Sequence, residues 1–232
     1  MLERVLADPA LTVQSLLLSD ASHRALQGPL ARLPAATPIY VTAVENFLSV
    51  TGFNIHRGCL ALVERPPVRS ADALVQSGHT IVVLEAVTNA DNVGSVFRSA
   101  AAFEVDAVLL SATCCDPLYR KAVRTSMAAT LSVPFARLEH WPGELSLLKA
   151  NGFTVVALTP RSDSATVDEF SAGSRPRRLA LLVGTEGAGL SDAAEAAADH
   201  RVRIPISARV DSLNLAVASG IALSRLSLGR PL

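Results

Sequence analysis

The chain has 232 residues, half of them hydrophobic, with 21 cations, 21 acids and a formal net charge of zero. That length holds one large domain or two small ones, and the neutral total argues against a uniformly basic nucleic-acid binder while leaving room for a local patch. No apolar run reaches the ~18 residues of a membrane helix, and the opening MLERVLADPALTVQSLLLSD carries early acids and no small-residue cleavage site, so a cytoplasmic protein without membrane attachment is expected.

Three cysteines, Cys59 and the adjacent Cys114 and Cys115, suit a reducing compartment; no His/Cys cluster has metal-ligand spacing, so no metal is expected. Only Lys121 and Lys149 are lysines. Arginine forks suit phosphate, although GC-rich codon usage gives the same bias.

Residues 1–63 read as short alternating elements: the strand VQSLLLS, a helical stretch over 21–33, the strand PIYVTA, a further helix and the strand CLALVE. The stretch ERPPVRSADALVQSG, 64–78, has paired prolines and polar residues and reads as a linker. The pattern then becomes regular. Apolar runs predict strands at 80–86, 105–110, 132–137, 153–159, 178–183 and 201–206, with helices near 92–103, 117–129, 143–151, 189–198 and 212–228. Such alternation predicts an α/β domain over 79–232, a mostly parallel sheet with helices on both faces.

Ligands of open parallel sheets bind beyond the carboxyl ends of the strands. Three polar or glycine-rich exits stand out: TNADN (88–92), GTEGAGLS (184–191) and ISARVDSLN (206–214). In the first, Asp91 or Asn92 suits a helix cap, and Val93, Val96, Phe97, Ala100 and Ala101 form one apolar stripe. Arg98 lies off that stripe, so packing does not require it; it reads either as a solvated arginine or as a functional one. In the second, three glycines around Glu186 permit close backbone approach to a ligand, but the spacing is neither a P-loop nor G-x-G-x-x-G. A plain turn before a helix capped by Ser191 or Asp192 reads equally well. In the third, Ser212 suits a cap, Asn214 carries an amide that needs partners, and the helix after it is apolar nearly all round. Such a helix belongs in a core or a subunit interface.

Taken in order, the three exits resemble the SpoU (TrmH-type) branch of the SPOUT RNA methyltransferases. That family shows N-x-x-N-x-G-x-x-x-R, a G-x-E-G loop, and I-P-x…S-L-N before an apolar helix. Here these read Asn89, Asn92, Gly94 and Arg98; Gly184, Glu186 and Gly187; and Ile204, Pro205, Ser212, Leu213 and Asn214, over residues 78–232. The segment VTGFNIHRGCLALVERP, 50–66, is similar to the end of a small RNA-binding domain that precedes the catalytic domain in many members. Residues 1–63 would be that domain, shortened as though its opening segment were absent.

The resemblance implies a parallel α/β domain with a C-terminal trefoil knot, S-adenosyl-L-methionine as cofactor, and a homodimer packed through the knotted region. It implies transfer of the sulfonium methyl to a ribose 2′-hydroxyl of structured RNA. Ribosomal RNA is favoured over tRNA, because the two-domain layout resembles rRNA-modifying members. Catalytic positions would be Arg98, Asn92, Glu186, Ser212 and Asn214. Cofactor contacts would fall at Gly184, Ile204, Leu213 and Thr159, and substrate contacts at Asn89 and, with His56, at Arg57. Family proposals make the arginine at Arg98 a proton acceptor; a guanidinium normally stays protonated, and holding the target phosphate and ribose is the other reading. Glu186 would anchor Arg98 or its own loop.

The family's loop usually reads I-P-M-x-G, whereas Ile206 and Ala208 stand here, and Met127 occupies a region where many members have glycine. These departures bear on loop geometry and target choice. Three alternatives remain: an RNA-binding or ribosome-assembly module without catalysis, an rRNA methyltransferase conferring antibiotic resistance, and a knotted enzyme that modifies a base.

Overall fold

Leu16 and Leu18, two residues apart and buried, mark the inward face of β1 (Val13–Leu18), the central strand of the first of two compact units. The computed structural model describes residues 1–52, 55, 58–173 and 176–227, and the units are Met1–Pro67 and Val68–Leu232. In the first, α1 (Leu2–Ala7) precedes β1, followed by α2 (Asp20–Ala25), α3 (Gln27–Leu30), β2 (Ile39–Val41), a 3-10 turn at Val44–Asn46, α4 (Phe47–Thr51) and β3 (Cys59–Val63). The sheet order is β2-β1-β3, with β2 parallel and β3 antiparallel to β1.

The stretch read as a linker, 64–78, is irregular only in its first half. Ser70 accepts a hydrogen bond from Ala73 N at 3.2 Å and starts α5 (Ala71–Ser77). Leu74 and Val75 bury in the core of the second unit. The proline pair and polar composition masked a helix whose two apolar residues were its signal.

The second unit continues with β4 (Thr80–Leu84), α6 (Ala90–Ala102), β5 (Ala107–Ser111), α7 (Arg120–Thr125), α8 (Ala129–Ser132), β6 (Phe135–Leu138), α9 (Leu145–Ala150), β7 (Thr154–Leu158), β8 (Ala165–Thr166), α10 (Val167–Ala172), β9 (Leu179–Val183), α11 (Asp192–Ala197), β10 (His200–Arg203) and α12 (Leu215–Ser227). Its seven strands run β6-β5-β4-β9-β7-β10-β8, and every described pairing is parallel. The expected α/β domain with a parallel sheet is therefore present. Both faces are covered, which is why β4 and β9 are buried along their whole length. Val82, Leu84, Leu181 and Val183 point into one core layer with α6 and α12; Ile81, Val83, Ala180 and Leu182 point into the other with α5 and α9.

Two expectations fail locally. Ala101, placed on the apolar stripe of α6, is exposed. The helix expected over 117–129 breaks between α7 and α8, where Met127 and Ala128 take φ of 54° and 72°. A left-handed residue with a Cβ costs roughly 1–2 kcal/mol, and the break lets Ser126 Oγ accept from Thr130 N at 3.3 Å.

At the amino end of the sheet, Asp199 ties β10 to β7. Its Oδ2 accepts from Val155 N at 2.8 Å, and its Oδ1 lies 2.9 Å from Lys149 Nζ. Burial pushes this carboxyl up, but Lys149 and the Val155 N–H outweigh it and hold it below the ordinary range.

Replacing Ala128 with glycine removes left-handed strain against a smaller entropy cost, so Ala128→Gly raises stability by about 0.5–1 kcal/mol. Thermal unfolding should read this as a Tm increase of roughly 2 °C. The depressed Asp199 carboxyl contributes stability above its unfolded value of about 3.9, lost as pH falls through the lower folded value. Asp199→Asn therefore lowers the denaturant midpoint at pH 7 and flattens its fall below about pH 4.

Candidate functional site

The site is assembled at the carboxyl ends of β4, β7, β9 and β10. After β9 the chain folds back on itself: Gly189 N donates to Thr185 O at 3.0 Å, and Gly187 and Gly189 take φ of 83° and 72°. A Cβ at Gly184 would fall on the Gly189 carbonyl and Leu190 N, so no larger residue fits beneath this turn.

The far end of the loop is held by a residue that sequence reasoning missed. Glu85 follows β4 and is only 6% exposed. Its carboxylate accepts from Ser191 N at 2.8 Å, from Ser191 Oγ at 2.7 Å and from Trp141 Nε1. Ser191 Oγ in turn accepts from Ala194 N at 3.2 Å, which caps α11. An acid closing a wholly apolar strand at the sheet's carboxyl edge was the signal, overlooked because the whole run over 80–86 read as apolar.

The α12 cap falls on Asn214 rather than on the expected Ser212. Asn214 Oδ1 accepts from Ala216 N at 3.0 Å and Val217 N at 3.3 Å. Its Nδ2 donates to Asn92 Oδ1 at 3.2 Å and to Glu186 Oε1. Glu186 thus anchors Asn214 and not Arg98. Asn214 is itself exposed, but every polar atom of its amide has a partner.

The α6 cap likewise moves to Asn89, whose Oδ1 accepts from Asp91 N at 2.8 Å; Asp91 and Asn92 lie within the helix. Buried Asn92 faces α12. Asp91, Gly94 and Arg98 share another face at i, i+3 and i+7. On it Asp91 meets Lys121 Nζ at 2.6 Å and Thr125 Oγ1 at 2.9 Å, and a Cβ at Gly94 would strike the Ala122 carbonyl. The hydrogen bonds from Lys121 and then Thr125 hold the Asp91 carboxyl below the usual range. Arg98 stands one turn further on, exposed, with no hydrogen-bond or ion-pair partner among the described residues.

A cavity of about 330 Å³ opens among these exits. Its wall includes Thr159, Gly184, Glu186, Ile204, Ser212, Leu213 and Asn214, with Leu158, Val183, Ile206 and Leu215 supplying apolar surface. That size and mixture suit a small organic cofactor. The structure thus brings all four expected cofactor residues together with three of the expected catalytic ones. Asn92 joins through Asn214, whereas Asn89 and Arg98 stay on α6 outside the wall. Arg57 and His56 lie outside the described residues. A cleft of about 410 Å³ beside α11 and β10 is lined mainly by charged side chains; Arg161 there pairs with Asp192 and Glu195. It lacks the apolar wall of the first cavity.

No described helix is long and apolar enough to cross a membrane. Residues 79–224 match the SpoU rRNA Methylase family. An uncharacterized tRNA/rRNA methyltransferase of Mycobacterium tuberculosis is 42% identical over 226 residues, 94% of this chain and 78% of that one. The 23S rRNA (guanosine-2′-O-)-methyltransferase RlmB of Yersinia pestis is 29% identical over 229 residues, 96% of this chain and 90% of that one. The solved structure of the SpoU methyltransferase AviRb from Streptomyces viridochromogenes in complex with AdoMet superposes with a TM-score of 0.77 at 25% identity, over 97% of this chain and 86% of that one. With more than half its length matched by the family and 94% of it aligned to a relative at 42% identity, the chain belongs to the SpoU rRNA Methylase family of RNA methyltransferases.

Proposed function

We propose that this protein methylates a ribose 2′-hydroxyl of structured RNA, ribosomal RNA before tRNA, using S-adenosyl-L-methionine bound in the cavity beneath Gly184. The observation that carries this reading is the union of a cofactor-sized cavity with a bonded Glu186–Asn214–Asn92 chain, leading into the helix that bears an unpartnered arginine. The AdoMet-bound AviRb structure supports the cofactor, and the 23S rRNA guanosine-2′-O activity of RlmB supports ribose and rRNA.

When bound, the cofactor supplies a methyl group on a sulfonium that already leaves well. The task of the chain is alignment and proton removal. The backbone around Gly184, with Ile204 and Leu213, holds the cofactor, Thr159 closes one side, and Ser212 adds a hydroxyl. Arg98 remains a cation and binds the target phosphate, orienting the ribose while the hydroxyl proton passes to phosphate or water. Asn89 and Asn92 fix the start of α6, and so the placement of Arg98. The first unit, including Arg57, serves as an additional RNA contact.

The working form is a homodimer packed through a knotted C-terminal region in the cytoplasm, without metal. Val217 and Ile221, one turn apart on α12, are 51% and 36% exposed, an apolar stripe suited to a second copy. The chain path suits a knot: β9 enters between β4 and β7, β10 adds beyond β7, and residues 204–214 then cross the strand exits before α12 packs on α6.

The test incubates undermethylated total RNA with methyl-labelled S-adenosylmethionine and identifies the nucleoside by mass spectrometry. A ribose-methylated nucleoside is expected; a base-methylated one overturns the assignment. Arg98→Ala should lower kcat by at least about 10²-fold with cofactor affinity unchanged. Gly184→Ala should instead weaken cofactor binding about tenfold or more by calorimetry, because the loop must move to admit the methyl group.

A further inference from the structure

In a chain with equal numbers of cations and acids, no acid stands between Asp116 and Glu139, while Arg120, Lys121, Arg124 and Arg137 fall within that stretch. Three of these cations are on α7. Ala122, buried, turns that helix against α6, so Arg120 and Arg124 lie together on the outward side, one turn apart and both exposed. The nearest acid on α6, Asp91, is already neutralised by Lys121 at 2.6 Å. That ion pair also locks α7 to the face of α6 that carries Arg98. Just before the helix, Tyr119 is 52% exposed, an aromatic ring in solvent beside the cations. Core packing does not account for it.

We propose that an unpaired segment of the substrate RNA runs along the outward face of α7, a phosphate on Arg124 and one base stacked on Tyr119, leading the strand to Arg98. The proposal rests on the RNA methyltransferase reading above and adds the class of RNA and its path. Cations alone would serve any RNA, since backbone contacts carry no sequence information. The ring decides between classes. Bases inside a duplex hide their faces in the stack, whereas loops, bulges and ends offer them to an aromatic side chain. A loop nucleotide also presents its ribose without duplex opening.

The probe is a fluorescent RNA hairpin with a single-stranded loop, compared with a blunt duplex of the same stem, in binding and methylation assays with the full chain. Tyr119→Ala should weaken hairpin binding about tenfold, Tyr119→Phe should retain it, and duplex binding should change with neither. Arg124→Ala should weaken RNA binding and reduce the slope of log affinity against log salt by about 0.7, as for one lost phosphate on a single strand. Cofactor affinity and Tm should stay at wild-type values in all three variants. Wild-type methylation with unchanged RNA affinity and KM in Tyr119→Ala and Arg124→Ala overturns the path while leaving the activity standing. Equal losses on hairpin and duplex overturn the unpaired class. A wild-type protein that binds the hairpin through these residues but methylates no RNA supports the path and overturns the catalytic reading.

Discussion

One carboxamide joins the three parts of the site. Asn214 uses its oxygen to cap α12 and its nitrogen to reach α6 at Asn92 and the post-β9 loop at Glu186. No other neutral side chain of that length offers two acceptor positions and two donors in one plane. An aspartate would keep the cap, lose both donors and set a second carboxylate against Glu186; a serine would cap but not bridge. The geometry of the cavity wall and the placement of α6 therefore depend on the same residue. This is also why the start of so apolar a helix tolerates a polar side chain.

Glu85 does the corresponding work on the other side of the loop. A buried carboxylate with no cation beside it is costly unless its lone pairs are filled. Here three neutral donors, two from Ser191 and one from Trp141, fill them. They reach it from the start of α11 and from the segment after β6, so the loop of Gly184 is clamped at both ends, by Glu85 and by Asn214. Between the clamps the backbone folds tightly enough to exclude a side chain at Gly184. A wall made of main chain recognises a ligand by shape and by N–H and C=O groups, and it does not shift with side-chain rotamers.

The central strands β4, β5, β7 and β9 were legible because each is an apolar run covered on both faces, a pattern independent of which strand lies next to which. Their order was not: β9 sits between β4 and β7 through pairings distant in sequence. Caps were misplaced for a related reason. Ser212, Asp91 and Asn92 are all good capping residues, but the choice among neighbouring candidates is made by where the backbone turns, and tertiary contacts set that. Asn92 was needed by Asn214, so Asn89 capped the helix. The break at Met127 and Ala128 was hidden because neither residue advertises a left-handed backbone. The departure from the family's glycine-bearing pattern falls at that break. Thr159, Gly184, Ile204 and Leu213, by contrast, were expected together from the family resemblance, and all four line one cavity.

The allocation of charge explains why Arg98 stands free. Two acids come from the motif segments that bear on it: Asp91, on the same face of α6, and Glu186, in the loop that was expected to hold it. Asp91 is taken by Lys121 and Thr125, and Glu186 by Asn214. Each of those bonds also has a structural task, docking α7 on α6 or fixing the loop on α12. An arginine paired with either acid would have to surrender that bond before it could hold a phosphate. With both acids engaged elsewhere, the guanidinium keeps its donor fork open in water, as the proposed phosphate contact requires.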